Sequence, residues 1–379
     1  MIALARKTLA YEWRRFLPVV LAMCFAGVLL IVQAALVLGI FGTAAIYVKA
    51  SSADIWAGFP GTQSVNYGHA ISADVESHLR MDPDVTRVEP YEWVDGEWRS
   101  SAQGTGNVSV YLSGISTQDD AMMFARILPA DLRAQLREPG AVIVDSADLD
   151  TLGVDLQNNR AWINGKAVRV VAAQAGLRGL GGVNVLASLD TARAIAGTDP
   201  HEGSTYFVAG LRSPDLANGV RDRLAASMGQ ATPVEFWTAP EFASRSQQYW
   251  LFDTGAGIAV LFMAVIVCFV GAVITNQSFA SVVAGSVREY ATLNALGAGR
   301  YALARVVFEQ ALLIGGVGML LAAAFSTAVL LIAQTQRVPV QLTPMVIIGC
   351  VALVAVMAML SSIMAVRSVV RSDPSLLLR

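Results

Sequence analysis

Four long stretches of this chain contain no charged residue, and they constrain its fold more than any other feature. Residues 16–48, 254–287, 310–336 and 338–366 hold no Asp, Glu, Lys or Arg. At a helical rise of about 1.5 Å per residue the first would reach roughly 50 Å, against about 30 Å of bilayer hydrocarbon. A large soluble protein can bury one such helix, but it has no core for four. The sequence reads as a membrane protein with four transmembrane helices and a large α+β extracytoplasmic domain inserted between helices 1 and 2. Soluble chains carry about 25% charged residues. Here 15% are charged and 55% are hydrophobic, which argues against both a cytosolic enzyme and disorder.

The charges assign the sides. Residues 50–249 hold 15 Lys and Arg against 24 Asp and Glu, a net charge of −9, while the remainder carries +7. Arg6, Lys7, Arg14 and Arg15 precede the first run. Arg288, Arg300 and Arg305 lie between the second and third, and Arg367, Arg371 and Arg379 follow the fourth. Basic flanking segments stay cytoplasmic, so both termini are expected inside and the acidic segment outside. The first run is far longer than the ~7–15-residue core of a cleaved signal and reads as an uncleaved anchor. The expected order is a cytoplasmic amphipathic helix at 1–16, span 1 at 17–49 and a periplasmic domain at 50–249. Span 2 follows at 250–286, a cytoplasmic helix at 287–299, spans 3 and 4 at 303–334 and 342–366, and a cytoplasmic tail at 367–379. In 1–16, Leu4, Leu9 and Trp13 can face lipid with Arg6, Arg14 and Arg15 among headgroups. The same charges serve equally as topological signals.

Within the acidic segment, strands are expected at 53–59, 85–93, 141–144 and 205–211. Helices are expected at 73–81, at 125–137 and from Ser213-Pro214-Asp215 to 228. A hairpin over 161–171 turns at Asn164-Gly165. Cys24, Cys268 and Cys350 all lie in spans, so no disulfide framework supports this domain. No catalytic residue and no metal site is assigned: hydrolase, phosphate-loop and metal-ligand motifs are missing from the sequence, and His69, His78 and His201 have no metal spacing. The glycine-rich run 176–182 lacks the Lys-Ser/Thr of a phosphate cradle and reads as a flexible loop. Trp56, Trp93, Trp98, Trp162, Trp237 and Trp250 offer faces for a lipid or sugar, or for simple core packing. Tyr249 and Trp250 fit an interfacial aromatic belt. Gln33, deep in span 1, can bond across a dimer or to a neighbouring helix, and Gly315, Gly316 and Gly318 permit close helix approach.

Between spans 2 and 3, Tyr290, Leu293 and Leu296 share one helix face and Gly297 is a natural stop. That apolar face needs a cover, either the membrane surface or a cytoplasmic partner. Arg305 and Glu309 are spaced to pair.

The run Arg288-Glu289-Tyr290-Ala291-Thr292-Leu293-Asn294-Ala295-Leu296-Gly297-Ala298, then Glu309, Gly315-Gly316-Val317-Gly318 and the tail Arg371-Ser372-Asp373-Pro374, resembles the FtsX/MacB-type (type VII) ABC transporter permeases. Residues 31–33 and 53–56 are most similar to the DevC branch. Asn294 departs from the Lys common in that family, leaving the segment less basic with its apolar face unchanged. The resemblance implies that Arg288, Glu289, Tyr290, Leu293, Ala295, Leu296 and Gly297 form a coupling helix on a separate nucleotide-binding subunit. That subunit would bind ATP and Mg, and this chain would carry no cofactor. It further implies a second permease copy, a periplasmic membrane-fusion adaptor with an outer-membrane channel, and a place in the bacterial inner membrane, with lipid and not nucleic acid as a partner. The implied function is export of a lipid, glycolipid or other hydrophobic cargo by motion passed to the periplasmic domain. A lipoprotein-releasing permease of the same family is the alternative. A membrane receptor or sensor would need a larger inner domain than these short cytoplasmic segments provide.

Overall fold

The chain forms two compact units, one of residues 40–257 and one of residues 1–39 with 258–379. A computed structural model describes residues 11, 13–101, 107–155, 157–199, 202–228, 233–285, 300–336, 338–345, 347–353, 355–356 and 359. Among these, three helices are long and apolar enough to cross a membrane: Phe16–Lys49, Ala256–Ile274 and Leu312–Thr335. The fourth apolar run is described only in part, as helix over 347–353 and short flanking pieces. The helix expected at 1–16 and the tail at 367–379 lie largely or wholly outside the described residues. The first span is α1 (Trp13–Gly42), a 3-10 turn at Thr43–Ala45, and α2 (Ile46–Lys49).

Residues 40–257 hold one mixed sheet folded into two lobes. Its elements are β1 (Ile55–Gly58), α3 (Asp74–Met81), β2 (Val85–Arg99), β3 (Val108–Ile115), α4 (Ala130–Gln135), β4 (Ala141–Asp145), α5 (Leu149–Leu152) and β5 (Arg160–Ile163). They continue with β6 (Lys166–Gln174), β7 (Val183–Ser188), α6 (Leu189–Ala196), β8 (Tyr206–Leu211), α7 (Ala217–Ser227), β9 (Glu235–Thr238) and α8 (Ala239–Gln248).

The first lobe is the antiparallel sheet β9-β1-β8-β2, with α3 joining β1 to β2 and α7 joining β8 to β9. This is a split βαβ arrangement. Side chains alternate across its strands. Ile55 and Ala57 face Val75 and Leu79 of α3 and Val220 and Leu224 of α7. Trp56 points the other way, into Tyr47, Tyr91, Tyr206, Trp237 and Phe242. Helix α8 starts with a capping box in which Thr238 Oγ1 accepts from the Glu241 N–H, and Pro240 occupies the first turn.

The second lobe is inserted between β2 and β8. Strand β2 pairs with both β3 and β5, so β2-β3-β7-β4-β6-β5 close on themselves as a six-stranded barrel. Its interior takes alternate residues: Trp98 from β2, Val110 and Leu112 from β3, Val142 and Val144 from β4, Ile163 from β5, Val170 from β6 and Val185 from β7. Ala192 and Ile195 of α6 close one end. The hairpin β5–β6 turns at Asn164 (φ 50°) and Gly165 (φ 78°), as the Asn-Gly pair predicts.

Three expectations change. The helix expected at 125–137 is confined to α4, because Pro129 disfavours helical geometry at Leu128 and Phe124 takes a left-handed φ of 56°. Span 2 does not start at 250: Tyr249–Asp253 form a π-type turn, Gly255 breaks the chain direction at φ 77°, and α9 (Ala256–Gly285) begins after it. The glycine-rich run 176–182 is pinned by side chains at several points, as described below. The third span lies in α10 (Arg300–Thr335).

Candidate functional site at the junction of the lobes

The residues expected to couple to an ATPase, Arg288, Glu289, Tyr290, Leu293, Ala295, Leu296 and Gly297, lie outside the described residues. So do His201 and the side chain of Arg305. The expected packing residues are described within the membrane unit. Gln33 Nε2 donates to the Val260 carbonyl of α9 at 3.2 Å. Gly318 lies against α1, where an added Cβ would stand 2.9 Å from Met23 Cβ. Gly316 faces open space, with nothing within 4 Å of an added Cβ, and Gly315 is partly buried. Two further glycines of α1, Gly27 against Ala322 and Gly39 against the Pro339 backbone, allow equally close approach. The Gln341 N–H donates to the Ala35 carbonyl at 3.0 Å beside the second of these.

The inserted domain holds the end of the first span in a different way. The last carbonyls of a helix have no partner in the helix itself. Here they are capped by residues 122–126. Arg126 donates from its backbone N–H to Ala50 O (2.9 Å) and from its guanidinium to Lys49 O (3.2 Å). Ser51 Oγ donates to Tyr47 O at 2.7 Å and accepts from the Phe124 N–H at 3.0 Å. This strap is anchored to both lobes. The Met122 N–H donates to both carboxylate oxygens of Glu89 on β2, at 2.9 and 3.1 Å. Arg133 of α4, 2% exposed, donates to Met123 O (2.6 Å) and Ser116 O (3.0 Å). Burial pushes the Glu89 carboxyl above the usual carboxylate range, and Arg87 at 2.7 Å pulls it back.

A second network locks the lobes together. Glu92, inside one end of the barrel, accepts from Arg193 Nε of α6 and from Ser204 Oγ, both at 3.0 Å, and from Thr205 Oγ1 at 3.2 Å. Beside it, Tyr91 and Ser113 share a hydrogen bond (3.0 Å), Ser113 donates to Asn184 Oδ1 (2.8 Å), and Asn184 Nδ2 donates to Leu177 O (3.0 Å). Asp145 then accepts from the Leu177 and Arg178 N–H groups at 2.7 and 3.0 Å, so the glycine-rich run is tethered at its start. Farther along, Asn66 Nδ2 donates to Leu180 O (2.9 Å) and Tyr111 to Gly181 O (3.2 Å). Trp93 and Tyr111 rings lie 5.0 Å apart, and Tyr67 packs on Tyr249 and Trp250.

The remaining sequence candidates fall into ordinary roles. Trp56, Trp98 and Trp237 are core residues at no more than 1% exposure, and Trp162 is partly exposed on β5. His78 bonds Ser227 at 2.8 Å across α3 and α7, and His69 meets the Phe59 ring edge-on. Among the described residues no three His, Cys, Asp or Glu side chains group as a metal site would require. What the junction can do is mechanical: it ties one end of a span, two lobes and an aromatic surface into one hydrogen-bonded body. Sequence reading missed Ser51, Glu89, Glu92, Arg126, Arg133 and Arg193. The available signal was the pair of carboxylates, Glu89 and Glu92, set among Val88, Pro90, Tyr91, Trp93 and Val94 in the middle of β2.

No curated protein shows significant sequence similarity to the chain. The extracellular domain of the noncanonic ABC-type transporter YknZ from Gram-positive bacteria aligns at 12% identity, over 48% of this chain and 98% of that one, with a TM-score of 0.32. The periplasmic region of MacB from Actinobacillus actinomycetemcomitans aligns at 10% identity, over 51% and 92%, with a TM-score of 0.34. Residues 261–374, which take in most of span 2, segment 287–299 and the third and fourth apolar runs, match the family described as FtsX-like permease C-terminal.

Proposed function

We propose that the chain is the permease subunit of an ABC exporter of the FtsX/MacB type. In this reading a separate nucleotide-binding subunit hydrolyses Mg-bound ATP and moves segment 287–299. Two permease copies share the membrane, and the inserted domain works on the outer side of a bacterial inner membrane. It moves a lipid, glycolipid or other hydrophobic cargo toward a membrane-fusion adaptor and an outer-membrane channel. The observation that carries the reading is the family match over 261–374, because it spans the segment whose apolar face needs a partner. The strap at 122–126 fits it physically. A shift of α2 cannot leave the barrel behind without breaking the four hydrogen bonds from residues 122–126 to 47–52. The described spans expose Leu, Val, Ile and Phe outward, as a lever in lipid would, with little to line a polar conduit.

The test is a pair of substitutions on that apolar face. Leu293→Asp and Leu296→Asp should leave membrane insertion intact and abolish the ATP turnover that the permease stimulates in its ATPase. Wild-type turnover together with unchanged ATPase co-purification in both variants would remove the coupling role.

A further inference from the structure

Among the described residues, desolvation pushes three carboxyls above their ordinary value, those of Glu89, Asp95 and Asp148. Two of them have a cation to offset it: Arg87 stands 2.7 Å from Glu89, and Arg178 stands 2.8 Å from Asp148. Asp95 has none. It is exposed on β2, and no described residue gives its carboxylate a hydrogen bond or an ion pair. A lone acid on an acidic surface is unremarkable by itself. What distinguishes Asp95 is its surroundings.

Side chains alternate along β2 and β3, so Trp93, Asp95 and Tyr111 share the outer face of the barrel while Trp98, Val110 and Leu112 fill its interior. Asp95 and Tyr111 are directly opposed in the β2–β3 register, which sets their Cβ atoms about 5 Å apart. The Trp93 and Tyr111 rings lie 5.0 Å apart. The same face runs on past Gly181, where an added Cβ would stand 3.0 Å from the Tyr111 hydroxyl and 3.3 Å from the Trp250 ring. Tyr67 stacks on Trp250 at an interplanar angle of 28° and is 48% exposed. The Asp95 charge raises both Tyr67 and Tyr111, which places their hydroxyls within its reach. Aromatic faces and a carboxylate attract the same kind of group: a cation binds over a ring within about 6 Å of its centroid and pairs with the carboxylate directly. An anion is repelled, both by Asp95 and by the net charge of −9 on residues 50–249. A bare alkyl chain would cover the carboxylate and leave it unpaired.

We propose that Asp95, Trp93, Tyr111, Tyr67 and Trp250 form a docking face for the primary ammonium of a phosphoethanolamine lipid headgroup, which holds the inserted domain to the membrane surface where span 2 begins. The ammonium donates to the Asp95 carboxylate, the methylene carbons beside it lie on the rings, and the phosphate stays in water. Chain length argues for a lipid as the source. Trp250 lies six residues before Ala256, the first residue of the apolar helix Ala256–Ile274, and six residues span at most about 20 Å. Tyr and Trp at that distance from a span suit the headgroup level. A trimethylated ammonium has no N–H for the carboxylate and would be held by the rings alone. A phosphoglycerol headgroup brings only negative charge. The lipid serves here as a surface and not as cargo, so the inference stands apart from the exporter reading and needs only that the apolar helix spans a bilayer.

The test uses the full chain in nanodiscs of phosphatidylglycerol, which supply no ammonium, and without an ATPase. Dihexanoyl phosphatidylethanolamine, phosphatidylcholine and phosphatidylglycerol below their micelle concentrations, free phosphoethanolamine, and a lysine tripeptide are titrated against intrinsic Trp fluorescence and by calorimetry. Saturable binding of the ethanolamine lipid is expected, weakened about tenfold in Asp95→Asn and about threefold in Tyr67→Ala. Both positions are exposed, so an unchanged thermal melt is expected for each variant. The choline lipid should bind more weakly than the ethanolamine lipid, and the glycerol lipid should not saturate. Free phosphoethanolamine should bind more weakly than the lipid that carries it. Equal affinity of the two overturns the lipid source in favour of a soluble amine, and tighter binding of the lysine peptide overturns it in favour of a basic protein segment. Unchanged affinity in Asp95→Asn, equal binding of the glycerol lipid, or no saturable binding overturns the site itself. Because no ATPase is present, such a failure leaves the coupling test of Leu293 and Leu296 untouched.

Discussion

Gly318 in α10 and Arg133 in α4 both bring distant parts of the chain together, and they do it by opposite means. Gly318 removes a side chain so that two helix backbones can approach, with Met23 filling the space. Arg133 inserts the longest cationic side chain into a buried site and satisfies two carbonyls, Met123 O in the strap and Ser116 O just after β3. Lipid supplies no hydrophobic drive between helices, so contact in the membrane unit depends on small residues and dispersion. The inserted domain has an apolar core of its own and can spend buried charge on fixing a loop against it. The lesson is one of tolerance: the membrane unit should be sensitive to added volume and the inserted domain to lost polarity.

The sharpest test of that contrast is Arg133→Met, which keeps volume and deletes the charge. It leaves Ser116 O and Met123 O buried without donors, for a loss of about 3–5 kcal/mol. In a domain of this size that lowers the melting temperature by about 10 °C, read by circular dichroism on the purified chain. A melt within 2 °C of the parent would break the comparison on the domain side.

In the membrane unit the informative pair is Gly318→Leu and Gly316→Leu. The first forces a side chain into Met23 and should cost about 1–3 kcal/mol. The second enters open space and should fall within about 0.5 kcal/mol of the parent. Denaturant titration in micelles reads both. Equal losses would mean that added bulk alone, and not helix contact, sets the cost. Gln33→Leu belongs lower on the scale. Its bond to Val260 O should be worth about 0.6 kcal/mol, because the unfolded helix also finds partners in the membrane.

The same contrast explains what could be read in the sequence. The apolar runs behind α1, α9 and α10 are legible because lipid selects composition, which needs no knowledge of contacts. The Asn164-Gly165 turn and the strands at 55–58 and 206–211 are legible because their signals are local. Strand β7 gave no signal: all six of its residues are buried, including Asn184, so nothing alternates. The strap was hidden for a stronger reason. Pro129 and the left-handed Phe124 redirect a stretch that looks helical, and its anchors Ser51, Glu89 and Arg133 come from three separate elements. A sequence records such charges but not which carbonyls they reach. The coupling role expected of residues 288–297 comes from family resemblance, and those residues lie outside the described ones.

The smallest expected effect concerns pH, and it separates two carboxylates of the inserted domain. The Arg223 guanidinium beside Asp82 holds that carboxyl below its ordinary value of 3.8. Its contribution to stability is therefore present above that value and is lost as pH falls through the lowered one. Glu89 runs the other way. Burial raises it above 4.5, so the folded state holds its proton where the unfolded chain has released it. That contribution is complete below 4.5 and disappears as pH rises through the raised value. Urea midpoints between pH 3 and pH 7 should therefore show Asp82→Asn flattening the acid arm only, and Glu89→Gln flattening the slope just above 4.5 only. If Glu89→Gln changed the acid arm instead, Arg87 and the Met122 N–H would outweigh burial and hold the carboxyl below its ordinary value, and the strap would be anchored on β2 by a charged group rather than a protonated one.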